Sequence, residues 1–189
     1  EALIDLEIPL TLTDNLTSAD GMFLGAACNY FYFEFLQIYN SDVTFQHKTL
    51  TFTNNHAFNK LIKASGVFSG CGYDLSFGDN SFALYTTQSD GWISSLAQSL
   101  FYISAAKNIT FGANAFQFLI DAKTLFSFCT SVENITIGAN SFSSLNSLGD
   151  MFSNCSKLKS IDISANTVNN INLAFENCPS ITSVKISAT

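Results

Sequence analysis

The sequence predicts a solenoid in which short parallel strands stack coil upon coil. The first observation behind this prediction is a repeat with a step of 26 residues, which separates Ile109 from Ile135 and Cys129 from Cys155. The second is that Ile135 and Ile137 lie two apart, the period of a strand with one buried face. One copy alone would bury about six apolar side chains, worth about 10–15 kcal/mol at best, whereas ordering its residues costs about 40 kcal/mol. The copies must therefore stack on one another.

Each copy is predicted to run as strand, turn, short helical segment and return. Gly138 and Asn140 follow the strand, and both residue types suit a turn. The back of the coil then places apolar residues at intervals of three and four: Leu148, Met151, Phe152 and Cys155. This spacing is typical of a short amphipathic helix or 3₁₀ turn, which we expect opposite the strands.

Residues 1–45 do not follow the repeat, and we expect them to form a β-rich, aromatic-rich cap. Alternating apolar and polar residues near the start indicate one or two strands. A stack without a cap would expose its core and its strand edge. Tyr30 and Tyr32 would share one side of a later strand. They are interpreted either as buried between the cap and the stack or as an exposed assembly patch.

Residues 46–189 are predicted to form the solenoid itself, with about five coils. One coil is longer than the others, since Leu75 and Ile109 are 34 residues apart. Neighbouring coils fix the strand register, so about residues 83–98 must loop out. This loop carries Tyr85, Asp90 and the single tryptophan, Trp92, which are the candidate ligand-binding residues because exposed Trp and Tyr often anchor partners. The alternative is that Trp92 folds back onto the coil.

The repeated Phe and Cys residues are predicted to form structural ladders. Nineteen phenylalanines against one tryptophan suit a stack in which one flat ring per coil meets its equivalents above and below. Cysteines one coil apart would keep their Cβ atoms ~4.8 Å apart, wider than the ~3.8 Å of a disulfide, which favours buried thiols. The predicted ladder residues are Phe116, Phe126, Cys129, Phe142, Phe152, Cys155, Phe175 and Cys178.

Composition and motifs argue against several classes of function. The net charge is −7 and no basic cluster is present, which disfavours nucleic-acid binding. No apolar run approaches the ~18 residues of a membrane span. His47 and His56 lack neighbouring ligands at metal-binding spacing, and hydrolase and phosphate-loop motifs are absent. We expect no catalytic residues, metal or cofactor.

The last copies, MFSNCSKLKSIDIS from Met151 and AFENCPSITSVKIS from Ala174, resemble BspA-like leucine-rich repeats of surface proteins. The matching residues are Phe152, Cys155, Leu158, Ile161 and Ile163, then Phe175, Cys178, Ile181, Val184 and Ile186. The resemblance implies a right-handed leucine-rich-repeat-like solenoid, used on cell surfaces for adhesion and for binding host or matrix proteins. It implies no catalytic residues.

The expected function is a non-enzymatic recognition or adhesion module, extracellular or on a cell surface, that binds a protein or glycan. The alternative is a structural subunit of an extracellular, virion or phage assembly, located on the virion surface in the latter cases. The aromatic N-terminal region and the final strand, Val184 to Ile186, favour such end-to-end or lateral contacts. The expected partners are a protein or glycan on another surface, or copies of the chain itself.

Overall fold

The protein is a solenoid of parallel strands. A computed structural model describes residues 49–52, 57–61, 67–68, 70–83, 100–101, 106–164 and 168–187. Every strand pair is parallel and in register, so that Leu75 lies opposite Ile109, and Ile109 opposite Ile135. The described residues contain six strands: β1 (Thr49–Phe52), β2 (Asp74–Phe77), β3 (Asn108–Phe111), β4 (Asn134–Ile137), β5 (Ser160–Ser164) and β6 (Ser183–Ser187). The prediction of a solenoid with short parallel strands on one face is confirmed.

The predicted helical or 3₁₀ segment opposite the strands is wrong for the described coils, in which no helix occurs. Residues 148–155 form turns instead. Asp150 and Asn154 adopt φ angles of 53° and 61°, a left-handed conformation that cannot continue a right-handed helix. The backbone groups of these turns bond to the adjacent coil, as where the Phe152 N–H donates to the Ala174 carbonyl at 3.0 Å.

Three columns of stacked phenylalanine rings fill the core. Neighbouring rings in one column have nearly parallel planes, as for Phe82 and Phe116 with centroids 4.7 Å apart. Rings of different columns meet edge to face, as for Phe52 and Phe68, whose ring planes form an angle of 77°. Both geometries are those that aromatic pairs prefer. The columns are Phe52, Phe77 and Phe111; Phe58, Phe82, Phe116 and Phe142; and Phe68, Phe101, Phe126, Phe152 and Phe175.

The cysteines of the described coils are buried free thiols, as the ladder spacing predicted: Cys71, Cys129, Cys155 and Cys178. The Cys155 thiol donates to the Phe126 carbonyl of the preceding coil at 3.0 Å. The Cys178 thiol donates in the same way to the Phe152 carbonyl at 3.0 Å. A hydrogen bond with the Cys129 thiol, together with burial, raises the pKa of Cys155. The raised pKa keeps the Cys155 thiol protonated at neutral pH. All four cysteines act as small core residues.

The predicted cap at 1–45 and the inserted loop at about 83–98 lie outside the described residues, apart from residue 83. The right-handed winding and the number of about five coils stay predictions.

Candidate functional site

The outward face of the main sheet carries an uncharged hydroxyl at one position of each of the first four strands. These hydroxyl residues are Thr51, Ser76, Thr110 and Thr136, and the strand register aligns them into a row. Beside them Asn108 Nδ2 donates to Asp74 Oδ2 at 2.7 Å, and Asn134 Nδ2 donates to Asn108 Oδ1 at 2.8 Å. The carboxylate and amide side chains of this second row bind one another, so we assign that row to the stability of the stack.

The regular sheet is interrupted between β4 and β5. The first four strands form one sheet, while β5 and β6 form a separate pair. Alternate residues of a parallel strand bond to opposite neighbours, and the Gly138 N–H donates backwards to the Phe111 carbonyl at 2.9 Å. The N–H and C=O groups of Ile135 and Ile137 therefore face β5, where they have no ladder partner.

The two coils remain joined on either side of this interruption. Just before β5 the Lys159 N–H donates to the Glu133 carbonyl at 3.2 Å, and beyond the strands the Asn169 N–H donates to the Asn146 carbonyl at 2.8 Å. The separation is therefore local to the strands rather than a division of the solenoid into two bodies.

The interruption forms a cleft of about 340 Å³. Thr136, Ser160, Asp162 and Lys185 supply its polar lining. Its apolar lining includes Ile137, which is partly exposed, whereas the equivalent Phe111 and Ile163 of the neighbouring coils are buried at 1% and 0% exposure. The cleft thus joins polar side chains to the edge of the core.

An ion pair between described residues borders the cleft. Lys185 Nζ lies 3.0 Å from Asp162 Oδ2, and both side chains are well exposed. Exposed pairs of this kind contribute little to stability, so a ligand can replace the contact at small cost. The arrangement supplies hydrogen-bond donors, acceptors and apolar contact, which is the chemistry of binding.

A second charged cluster lies outside the cleft and is structural. Glu133 bridges two lysines of adjacent coils, with Lys159 Nζ at 2.6 Å and Lys107 Nζ at 3.2 Å. Hydrogen bonds from Lys159 and then Lys107 lower the pKa of Glu133. This ladder of charges links three successive coils where their strands begin.

Within the described ranges, no group of three or more His, Cys, Asp and Glu side chains is arranged to hold a metal ion. The same part of the chain contains no helix of the length and apolarity needed to cross a membrane.

The candidate ligand-binding residues Tyr85, Asp90 and Trp92 lie outside the described residues, as do Tyr30 and Tyr32 of the assembly patch. Their roles stay predictions. The ladder residues lie in the core, where the Phe116 ring stacks on Phe142, Phe126 on Phe152, and Phe152 on Phe175.

Sequence reasoning missed the cleft, although two signals mark its place. At the outward position the hydroxyl of Thr136 is followed by the charges of Asp162 and Lys185. At the inward position the ring of Phe111 is followed by the aliphatic side chain of Ile137. Both changes in the repeat occur around the interruption.

No family model, curated protein or solved structure matches this chain. The fold and the site therefore define its class by themselves: a parallel β-solenoid whose strand face is interrupted by a polar cleft between β4 and β5.

Proposed function

We propose that this chain is a non-enzymatic recognition or adhesion module, extracellular or on a cell surface, that binds a protein or glycan. The cleft between β4 and β5 is the observation that carries the proposal. A stack gains stability from a continuous ladder, and an unpaired backbone group forgoes hydrogen bonding that the ladder would supply. Ligand binding would explain why the ladder is interrupted here, since the interruption is lined by polar side chains: Thr136, Ser160, Asp162 and Lys185.

The solenoid is well suited to present such a site. Ring columns and cross-coil hydrogen bonds hold each coil against the next, so outward side chains start from fixed backbone positions. A preorganised site loses less conformational entropy on binding. Stacked repeats also form extended surfaces for large partners.

The resemblance to BspA-like leucine-rich repeats supports the surface location and the adhesive role. We include in the proposal that the coils are a divergent leucine-rich repeat in which turns replace the helical segments. The net charge of −7 favours protein or glycan partners over nucleic acid.

The test is binding of the fluorescently labelled chain to an array of matrix proteins and glycans. We expect saturable binding to at least one immobilised partner. The matched control is the same chain after irreversible heat unfolding, which separates recognition from non-specific adsorption. Binding no greater than that of the unfolded chain on every array element would contradict the proposed function.

A structural subunit is the second candidate, favoured by exposed apolar side chains on the last described coil. The four residues are Ile171, Leu173, Val184 and Ile186, between 38% and 61% exposed. Apolar groups of this kind favour contacts between copies. Light scattering at increasing concentration tests this candidate: association that Ile186→Glu abolishes supports it, and a monomer at every concentration contradicts it.

A further inference from the structure

The cleft between β4 and β5 is closed where the two strands begin. The Lys159 N–H donates there to the Glu133 carbonyl. A bound peptide strand would need an open edge along which to pair, and this bond limits the length of that edge. The volume of about 340 Å³ is at the lower end of the range for small-molecule sites. The site thus favours one compact group over an extended chain.

The charges at the cleft favour a neutral ligand. The Asp162 carboxylate and the Lys185 ammonium lie 3.0 Å apart, so their fields largely cancel. An anion that approached Lys185 would meet Asp162 and the overall charge of −7, and a cation that approached Asp162 would meet Lys185.

The hydrogen-bonding groups favour a ligand with several adjacent hydroxyls. Asp162 only accepts, Lys185 only donates, and the hydroxyls of Thr136 and Ser160 do both. The Ile137 backbone adds an N–H and a C=O without ladder partners on this side. Neighbouring hydroxyls can donate to the carboxylate while they accept from the ammonium, and such charge-assisted bonds are the stronger ones.

The cleft also offers apolar contact. The exposed Ala139 lines the cleft, and the partly exposed Ile137 lines it as well. A sugar ring presents hydroxyls at its rim and C–H groups on its faces, and this combination matches a polar lining beside an aliphatic patch. We propose that the β4–β5 cleft is a binding site for one neutral sugar ring of a glycan. This inference rests on the proposed recognition function and narrows it to one ligand class and one place.

The test is NMR titration of the ¹⁵N-labelled chain with the methyl glycosides of glucose, galactose, mannose and N-acetylglucosamine. At least one glycoside is expected to shift the amide signals of residues 136–139 and 160–162 saturably. Asp162→Ala and Lys185→Ala should each weaken binding about tenfold or more, because a hydrogen bond to a charged group contributes about 1.5–3 kcal/mol. The matched control is Lys107→Ala, which removes an exposed, ion-paired lysine outside the cleft and should leave affinity unchanged.

Three results would overturn the inference: no shift with any glycoside, shifts confined to residues away from the cleft, or unchanged affinity in the Asp162 and Lys185 variants. Stronger shifts with glucuronate or glucosamine would overturn the preference for a neutral ring. If the chain binds the array but the cleft does not respond to glycosides, the cleft inference fails and the proposed recognition function stands. If the chain binds neither, both fail.

Discussion

Replacing Phe126 tests whether the ring columns hold the solenoid together. Its buried ring lies 5.0 Å from Phe101 and 5.5 Å from Phe152, measured between centroids. Phe126→Leu keeps an apolar side chain but removes both stacked contacts and the edge-to-face contact with Phe111, whose ring centroid lies 6.1 Å away. Each such pair contributes about 0.5–1.5 kcal/mol beyond area burial. We therefore expect the free energy of unfolding to fall by about 1.5–4.5 kcal/mol, the sum for three pairs.

Phe175→Leu is the matched control for that substitution. Its ring is partly buried, and its one stacked neighbour among the described rings is Phe152, at 5.5 Å. One lost pair should cost about 0.5–1.5 kcal/mol, a third of the loss at Phe126.

The assay is urea unfolding followed by far-UV circular dichroism and by tryptophan fluorescence. Repeat arrays can unfold in stages, so the comparison requires that both probes agree and that the slope with urea is unchanged. Equal losses at Phe126 and Phe175, or no loss at Phe126, would refute the reasoning that stacked columns stabilise the coils.

Three further predictions test local features of the coil. Leu173→Asn should raise the free energy of unfolding by about 0.5–1 kcal/mol, because Leu173 is exposed at a φ of 53° and asparagine tolerates this conformation. Ile171 is also exposed but has no positive φ, so Ile171→Asn should not raise the melting temperature. An equal rise in melting temperature for the Leu173 and Ile171 variants would contradict the strain argument. Gly138→Ala should cost at least about 2 kcal/mol because its methyl group would overlap the Gly112 carbonyl. Gly149→Ala should stay within about 1 kcal/mol, since the nearest atom is a side-chain nitrogen at 3.3 Å; similar urea midpoints for both would contradict the close approach. The lysine partners lower the pKa of Glu133 below its ordinary value of 4.5. The ionised carboxylate therefore contributes to the free energy of unfolding above pH 4.5, and this contribution is lost as pH falls through the folded-state pKa. Glu133→Gln should therefore cost up to about 1 kcal/mol at pH 7 and nothing near pH 2, and a pH-independent difference in urea unfolding would count against this ladder of charges.

The strands were predictable because stacking forces equivalent residues into register. A step of 26 residues places Ile109 beside Ile135, and the structure pairs them. The ring columns follow from the same step, since a flat side chain at one position of every coil meets its own equivalent.

The turns opposite the strands could not be predicted from apolar spacing. Intervals of three and four suit a helix, but they also suit a turn in which a left-handed residue redirects the chain. Asp150 and Asn154 take that conformation, and Phe142 takes it with a φ of 59° although a positive φ is uncommon for a bulky side chain. Cross-coil packing of the ring overrides the local preference.

The cleft was not predictable because the residue changes that mark its place, at Ile137, Asp162 and Lys185, all keep the alternation of inward and outward residues along the strands. Ile137 and Ile163 both satisfy the strand pattern, so each looks as well placed as Phe111. What changes is the pairing between two coils, since β4 and β5 belong to separate sheets. Such a property belongs to a pair of coils rather than to either sequence segment.

Residue-resolved amide hydrogen exchange tests most directly whether the strand face is interrupted, on which the functional account depends. Phe111 and Ile137 occupy the same position in successive coils, and the Phe111 amide faces the paired strand β4, whereas the Ile137 amide faces the cleft. The account predicts strong protection of the Phe111 amide and exchange at least about a hundredfold faster at Ile137, the factor that corresponds to ~2.7 kcal/mol of lost protection. Equal protection at the two amides would show a continuous sheet and contradict the account.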